Sequence, residues 1–380
     1  MNRNIVLLGV VSLLTDVSSE MIYPLIPIYL TAVLGASPAA LGFIEGVAES
    51  LASLLKVYSG RLADKARQRK PLTTAGYALS VVGKGLFVVT ASWTGVFWAR
   101  LCDRFGKGIR SAPRDALIVD SIGTDERGRA FGLHRALDTA GAVIGIGLAY
   151  WLFTQYNGDY LTVFWLSVIP ALTGVALLFF VYEPQKAVRE PTKEKRFFWR
   201  ELDSQLKFFL LITFLFNLGN SSNQFLLVRA GTQGFSPSEV ILLYFLMNIV
   251  YMGAALPAGI LSDQIGRKWL LVLGYGLYGL AYIGFANFNG RTEIITLFGV
   301  YGLYIGITEG VEKALLADIA PRFQRASIFG LHALIVGVAL LPASLLAGAL
   351  WSAFGAAAPF WFGGATGVCA AVALAAGLKK

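Results

Sequence analysis

The chain has 380 residues, 56% of them apolar and only 14% charged, and 32 Lys+Arg against 23 Asp+Glu leave a net charge of +9. A soluble domain carries about a quarter of charged residues, a disordered tail lacks the 13% of aromatics found here, and a nucleic-acid binder has no use for apolar runs such as 81–97, broken only by Lys84. Cys102 and Cys369 form neither a disulfide framework nor a zinc spacing, which leaves a polytopic membrane protein.

Crossing the hydrocarbon takes about 20 apolar residues, and twelve such runs are predicted. The first, 5–33, outlasts any signal-peptide core. It places Asp16 and Glu20 at i and i+4 near its middle, with Tyr23 next on the same face and prolines at Pro24 and Pro27. The second, 41–59, aligns Glu45, Glu49, Ser53 and Lys56 on one stripe, then enters the loop Gly60-Arg61-Leu62-Ala63-Asp64-Lys65-Ala66-Arg67-Gln68-Arg69-Lys70. After 72–91, the fourth run, 95–115, carries Arg100, Asp103, Arg104 and Lys107 at i, i+3, i+4 and i+7, one helix face. It is the run weakest in hydropathy. The fifth, 131–153, contains Gly141, Gly145 and Gly147, and the sixth covers 161–182. A charged stretch with two prolines, Glu183 to Gln205, interrupts the pattern. Beyond it, 208–229 presents Asn217, Asn220 and Gln224 at helical spacing. Runs at 237–258 and 269–289 follow, then 295–316 with Tyr301, Tyr304, Thr308, Glu309 and Glu312, and finally 327–352 and 358–377. The domains are expected at 1–182 and 208–380, joined by a linker at 183–207.

Two global patterns organise these runs. Gly60, Leu62 and Asp64 recur 199 residues later as Gly259, Leu261 and Asp263, and Lys70, Asp120 and Phe131-Gly132-Leu133-His134 recur 198 later as Lys268, Asp318 and Phe329-Gly330-Leu331-His332. The expectation is an all-α membrane protein of two pseudo-symmetric six-helix bundles in the same orientation, with a solute site near the midplane between them. Lys and Arg are lopsided as well. With the basic end of run four, from Arg104 onward, and Lys313 at the end of run ten counted with the loops that follow them, the N-terminus and the loops after even-numbered runs hold one, five, six, seven, two and three, and the C-terminus two more, whereas on the other side there are only Arg229 and Arg291. Both termini are therefore expected in the cytoplasm.

The repeated Gly-x-Leu-x-Asp loop, complete at 259–268 (Gly259-Ile260-Leu261-Ser262-Asp263-Gln264-Ile265-Gly266-Arg267-Lys268) and lacking its second glycine in the first copy, resembles the loop motif of the major facilitator superfamily. The resemblance covers the whole chain, and the strings around Asp16 to Pro24 and Asp103 to Asp115 look like a bacterial permease subgroup. It implies that the loops latch a gate through Gly60, Asp64, Gly259 and Asp263, and that runs one, four, seven and ten line the central cavity, the runs whose polar stripes were just described. The proline pair in run one is similar to that of twelve-helix drug exporters. Run five lacks the Gly-Pro step of the superfamily's antiporter motif.

An ionisable residue at mid-span costs about 2.5–3.5 kcal/mol to insert, so each is a functional candidate. Asp16 and Glu20 are the candidates for proton coupling; pairing with Arg100 or Arg104 is the alternative. Tyr23, Glu45, Glu49, Arg100, Asp103, Arg104, Asn217, Asn220, Gln224, Tyr301 and Tyr304 are the candidate solute-binding residues. The fourth-run stripe fits either an anion site or an ion-pair network with Glu45 and Glu49. Arg114 with Asp115 and Glu312 with Lys313 are expected as gate pairs, and His134 and His332 as shared scaffold. No nucleophile–base pair, metal set or cofactor motif is found, and no nucleic acid is a partner. The reading is a monomeric, non-enzymatic secondary transporter in the lipid bilayer of a bacterial inner membrane, moving a small solute by alternating access as a proton-coupled exporter. Alternatives are an importer or uniporter of a small anion or metal ion and, more remotely, an intramembrane lipid-handling protein.

Overall fold

The computed structural model describes residues 3–65, 69–121, 127–183, 202–321 and 325–378, and every regular element among them is helical. Twelve helical segments follow the twelve expected runs: α1 Arg3–Ile22, α2 Pro38–Lys65, α3 Lys70–Val89, α4 Trp93–Asp120, α5 Arg127–Gln155, α6 Tyr160–Leu178, α7 Ser204–Gly219, α8 Pro237–Ile265, α9 Arg267–Asn287, α10 Arg291–Ile319, α11 Arg325–Phe354 and α12 Ala358–Gly377. Two of them are interrupted. After Ile22, α1 turns through Tyr23 to Leu25 before continuing as Ile26–Ile28 and a π-helical turn, Tyr29–Val33; Pro24 and Pro27 each remove a main-chain donor there. The expected continuous run 208–229 is also two pieces. At Asn220 the backbone leaves helical geometry (φ −89°, ψ 77°), and the helix resumes as Gln224–Thr232. The intervening Asn-Ser-Ser-Asn explains the break, because these side chains compete for the backbone's own hydrogen bonds.

Nine helices among the described residues are long and apolar enough to cross a membrane. The three outside that set are α2, α4 and α7. The first two carry the charges picked out above, and the third is cut short by its break.

The chain divides into two compact units, one of Met1–Ala36 with Val47–Glu194, the other of Ser37–Gly46 with Lys195–Lys380. In the first, α1 packs on α5 and α6, and α3 on α4 and α6. In the second, the same pairs recur six helices on: α7 on α11 and α12, α9 on α10 and α12. The α1–α5 crossing is tight enough to demand glycine. A Cβ on Gly141 would lie 2.5 Å from the Leu13 carbonyl oxygen and one on Gly145 2.5 Å from that of Val17, whereas one on Gly147 would meet nothing within 4 Å. At one end of the first unit Ile5, Leu8, Tyr77, Leu117, Ile118 and Leu178 close an apolar core. In the second, the opening turns of α2 lie on α11, with Gly46 beside Leu341 and Ser344.

Candidate functional site

In the first unit the α4 stripe is an ion-pair network. Arg100 Nη2 and Arg104 Nη1 each stand 3.2 Å from Glu49 Oε1 on α2. Arg104 also donates to Asp103 Oδ2 through Nε at 2.9 Å and Nη2 at 2.7 Å, and Arg100 Nη1 lies 3.8 Å from the same oxygen. The Arg100 guanidinium is 5.4 Å from the Tyr23 ring centre, a cation–π distance. Arg100, Asp103 and Arg104 are all buried, and among the described residues Asp103 Oδ1 has no hydrogen-bond partner. Glu45, four residues before Glu49, falls on the other side of the division at Gly46, where it accepts from Ser222 Oγ at 3.3 Å.

The acids of α1 stand differently. Asp16 and Glu20 face α5, their Cβ atoms 3.2 and 3.0 Å from where a Cβ on Gly141 and Gly145 would sit. Among the described residues Asp16 has no ion pair within 4.0 Å and no hydrogen bond; the arginines expected to neutralise it hold Glu49 and Asp103 instead. Two lysines complete the picture. Lys84 is buried on α3, its ammonium 3.3 Å from the Thr15 carbonyl oxygen. Lys107 is exposed on α4, with no ion pair among the described residues.

At the ends of the helices the loop motif works through two arginines the sequence pattern did not single out, beside the repeated Lys and Asp positions that it did. Arg69 donates to the Ala116 carbonyl at 2.9 Å and pairs with Asp120 at 2.5 Å. In the second unit Arg267 donates to the Ala314 carbonyl at 2.9 Å and pairs with Asp318. Lys70 and Lys268 donate to the carbonyls of Val181 and Leu378, which lie just past the ends of α6 and α12. The signal was available, since Arg69 and Arg267 sit at the same 198-residue offset as the Asp120–Asp318 match. Asp263 joins Arg267 at 3.2 Å; the side chain of Asp64 lies outside the described residues. The glycines of the motif are not close-packing sites. A Cβ on Gly259 would meet nothing within 4 Å, and one on Gly60 only Ala112 at 3.5 Å.

Arg114 binds Asp115 at 2.8 Å as expected and also reaches Ser12 Oγ on α1 at 3.1 Å. The pairing of Glu312 with Lys313 is not found. Lys313 turns back one helical turn to Glu309 at 3.3 Å, and Glu312 meets His332 Nε2 of α11 at 2.7 Å. The other histidine, His134, has its own acid, Asp138, at 3.4 Å on the same helix. Arg229, expected in a loop, is buried in the second piece of α7 and donates to the Phe285 carbonyl at 2.9 Å.

The second unit gathers neutral polar and aromatic groups around the break in α7. Asn220 Nδ2 donates to the Tyr304 hydroxyl at 3.2 Å, Tyr301 donates to Asn223 Oδ1 at 2.7 Å, and Tyr278 to the Gly219 carbonyl at 2.7 Å. Asn217 turns back to the Thr213 carbonyl at 2.8 Å. Gln224 is fully buried, yet among the described residues neither of its amide atoms has a hydrogen-bond partner, nor do the hydroxyls of Tyr275 and Tyr282. Ring centres of Tyr278 and Tyr282 lie 4.2 Å apart, of Tyr278 and Tyr304 5.0 Å, and of Tyr301 and Tyr304 5.2 Å. The sequence reading reached Tyr301 and Tyr304 but not Tyr275, Tyr278 and Tyr282, whose i, i+3, i+7 spacing on α9 was the available sign. Such a cluster can offer ring faces and hydrogen bonds to a solute. Among the described residues no group of three His, Cys, Asp or Glu could hold a metal ion.

The chain matches the family profile of the Major Facilitator Superfamily over residues 8–229 and again over 209–379. It is 38% identical over 359 residues to an MFS-type transporter of Methanocaldococcus jannaschii, covering 92% of this chain and 89% of that protein. It is 27% identical over 350 residues to the multidrug resistance protein MdtH of Photorhabdus laumondii, covering 87% and 81%. Among solved structures the fold is similar to that of the nucleoside transporter NupG, with a TM-score of 0.79 at 13% identity over the full length of both chains.

Proposed function

Because the chain belongs to the major facilitator superfamily, we propose that this transporter exports a small solute by alternating access in exchange for protons, as a monomer in a prokaryotic cytoplasmic membrane with both termini inside. The observation that carries the coupling half of this reading is Asp16. The other α2 and α4 acids of the buried cluster, Glu49 and Asp103, are matched by arginines, and a carboxylate held by a cation is kept ionised. Asp16 has no ion pair within 4.0 Å among the described residues; Lys107, Arg110 and Arg114, the cations that act on it, stand further off. It lies where α5 rests directly on α1, so a change in its charge acts on a helix crossing that the glycines make rigid. Glu20, one turn on at the next glycine contact, is the second proton-coupling candidate. The polar and aromatic groups of α7, α9 and α10 supply the solute contacts. The direction of transport rests on the likeness to MdtH, a multidrug resistance protein.

Inverted membrane vesicles energised with a pH gradient test the reading. Asp16→Asn should abolish gradient-driven movement of a transported dye while leaving its binding to purified protein intact. If Asp16→Asn and Glu20→Gln each transport at the wild-type rate under the same gradient, coupling through α1 is refuted.

A further inference from the structure

The network in α4 consumes the two cations best suited to a bidentate anion. Glu49 takes one contact from each of Arg100 and Arg104, and Asp103 closes the set. Arg110 is occupied too. It is buried with its guanidinium 4.5 Å from the Tyr77 ring centre, and Nη1 donates to Ser80 Oγ. Arg114 holds Asp115 and Ser12. Of the cations on this face of α4, Lys107 alone is both exposed and without an ion pair among the described residues.

Its direction is set by its neighbours in the chain. Gly106 is pressed on α3, where a Cβ would fall 2.5 Å from the Gly76 carbonyl oxygen, and Gly108 on α2, 2.9 Å from that of Ala52. Lys107 therefore projects between α2 and α3 or directly away from that gap. The apolar side of α4 decides between them. Trp98, nine residues earlier and so about two and a half turns away, points the opposite way. Trp98 and Phe105 are the exposed large apolar residues on that side; Trp93, the exposed one nearer the Lys107 side, lies about 21 Å away along the axis in the first turn of α4. A helix with two exposed sides, one aromatic and one cationic, turns the first to lipid and the second to water. The charges that act most strongly on Lys107 are the cations Arg104 and Arg110 and the carboxylates Glu49 and Asp16. Glu49 is already matched by two arginines, and with Lys107 the three cations of this group exceed its two carboxylates by one, which leaves room for one further negative charge.

We infer that Lys107 binds an anionic group, a carboxylate or phosphate, of the transported solute, acting as a point charge in water while Arg100 and Arg104 hold α4 to α2. The inference rests on the transporter reading above, narrows it to anion-bearing solutes, and moves the anion contact from the arginines to the lysine. An anionic lipid headgroup has the same chemistry and needs its own arm in the test.

Two xanthene dyes of opposite charge, carboxyfluorescein and rhodamine 6G, provide matched probes. Fluorescence anisotropy is measured on protein in phosphatidylcholine nanodiscs. Carboxyfluorescein should bind the wild type, lose about 10- to 100-fold in affinity in Lys107→Gln, as expected for a lost charge-assisted contact, and recover in Lys107→Arg. Rhodamine 6G binding should be unchanged or tighter in Lys107→Gln. No binding of carboxyfluorescein to the wild type overturns the inference, as does equal weakening of both dyes or an affinity indifferent to Lys107→Gln. Displacement of the dye when phosphatidylglycerol replaces part of the lipid puts a headgroup at Lys107 and also overturns it. These outcomes leave the transporter reading standing; that reading fails separately, if neither dye moves under a pH gradient in wild-type vesicles.

Discussion

Asp103 sits between two arginines in a place water hardly reaches: the side chains of Asp103, Arg100 and Arg104 are 5%, 3% and 7% exposed. Asp103→Asn deletes the charge without changing the shape. Arg104 then keeps only its 3.2 Å contact to Glu49, which Arg100 shares. Removing one partner of a buried pair costs about 3–5 kcal/mol, and asparagine's remaining carbonyl oxygen argues for the lower end. For a folding unit of this size about 3 kcal/mol is a fall of roughly 6–12 °C in Tm. The eight tryptophans make intrinsic fluorescence in mild detergent a direct assay. The double variant Asp103→Leu/Arg104→Met removes both charges, leaves Glu49 with Arg100, and should return to within about 1 kcal/mol of the wild type. A shift below about 2 °C for Asp103→Asn, or a double variant less stable than either single change, would refute the view that burial sets the value of this pair.

The twin clamps give a second test, because their geometry matches and their burial does not. Arg69 and Asp120 are 10% and 28% exposed, Arg267 and Asp318 27% and 55%, so Arg69→Gln should cost about 2 kcal/mol and Arg267→Gln less than about 1, read as Tm. Gly145→Ala should destabilise by about 1–3 kcal/mol, since its Cβ collides with the Val17 carbonyl. Gly147→Ala, which meets nothing within 4 Å, should stabilise by up to about 1 kcal/mol through helix propensity; equal effects at the two positions would argue against the tight α1–α5 crossing. Gln224→Met should leave Tm unchanged or raise it, because two unpartnered buried amide atoms are removed, while vesicle transport falls; a large loss of stability would mean that the amide is structural.

Twelve runs, the repeat and the intramembrane charges were legible because each depends on near neighbours in the chain. Hydropathy needs about 20 residues, and a polar stripe needs only i+3 and i+4 spacing. The assignment of partners was not. Asp103 and Glu49 both lay on predicted faces, yet whether Asp16 or Glu49 would take Arg100 depended on how closely α2 and α4 approach, and that approach is decided at Gly108 against Ala52. Glu45 and Glu49, one turn apart on α2, end in different units, a separation no periodicity reveals. Glu312 likewise left its sequence neighbour for His332 on another helix.

By itself, then, the sequence determined the class, the helix count and which residues are out of place in a hydrocarbon, since those follow from the cost of burying a polar group and the pitch of a helix. Only the tertiary structure decided which charges cancel and which do not. Charges cancel over a few ångströms across helices that are far apart in the chain. The same packing that locks Arg100 and Arg104 onto Glu49 and Asp103 leaves Asp16 and Lys107 without an ion-pair partner among the described residues.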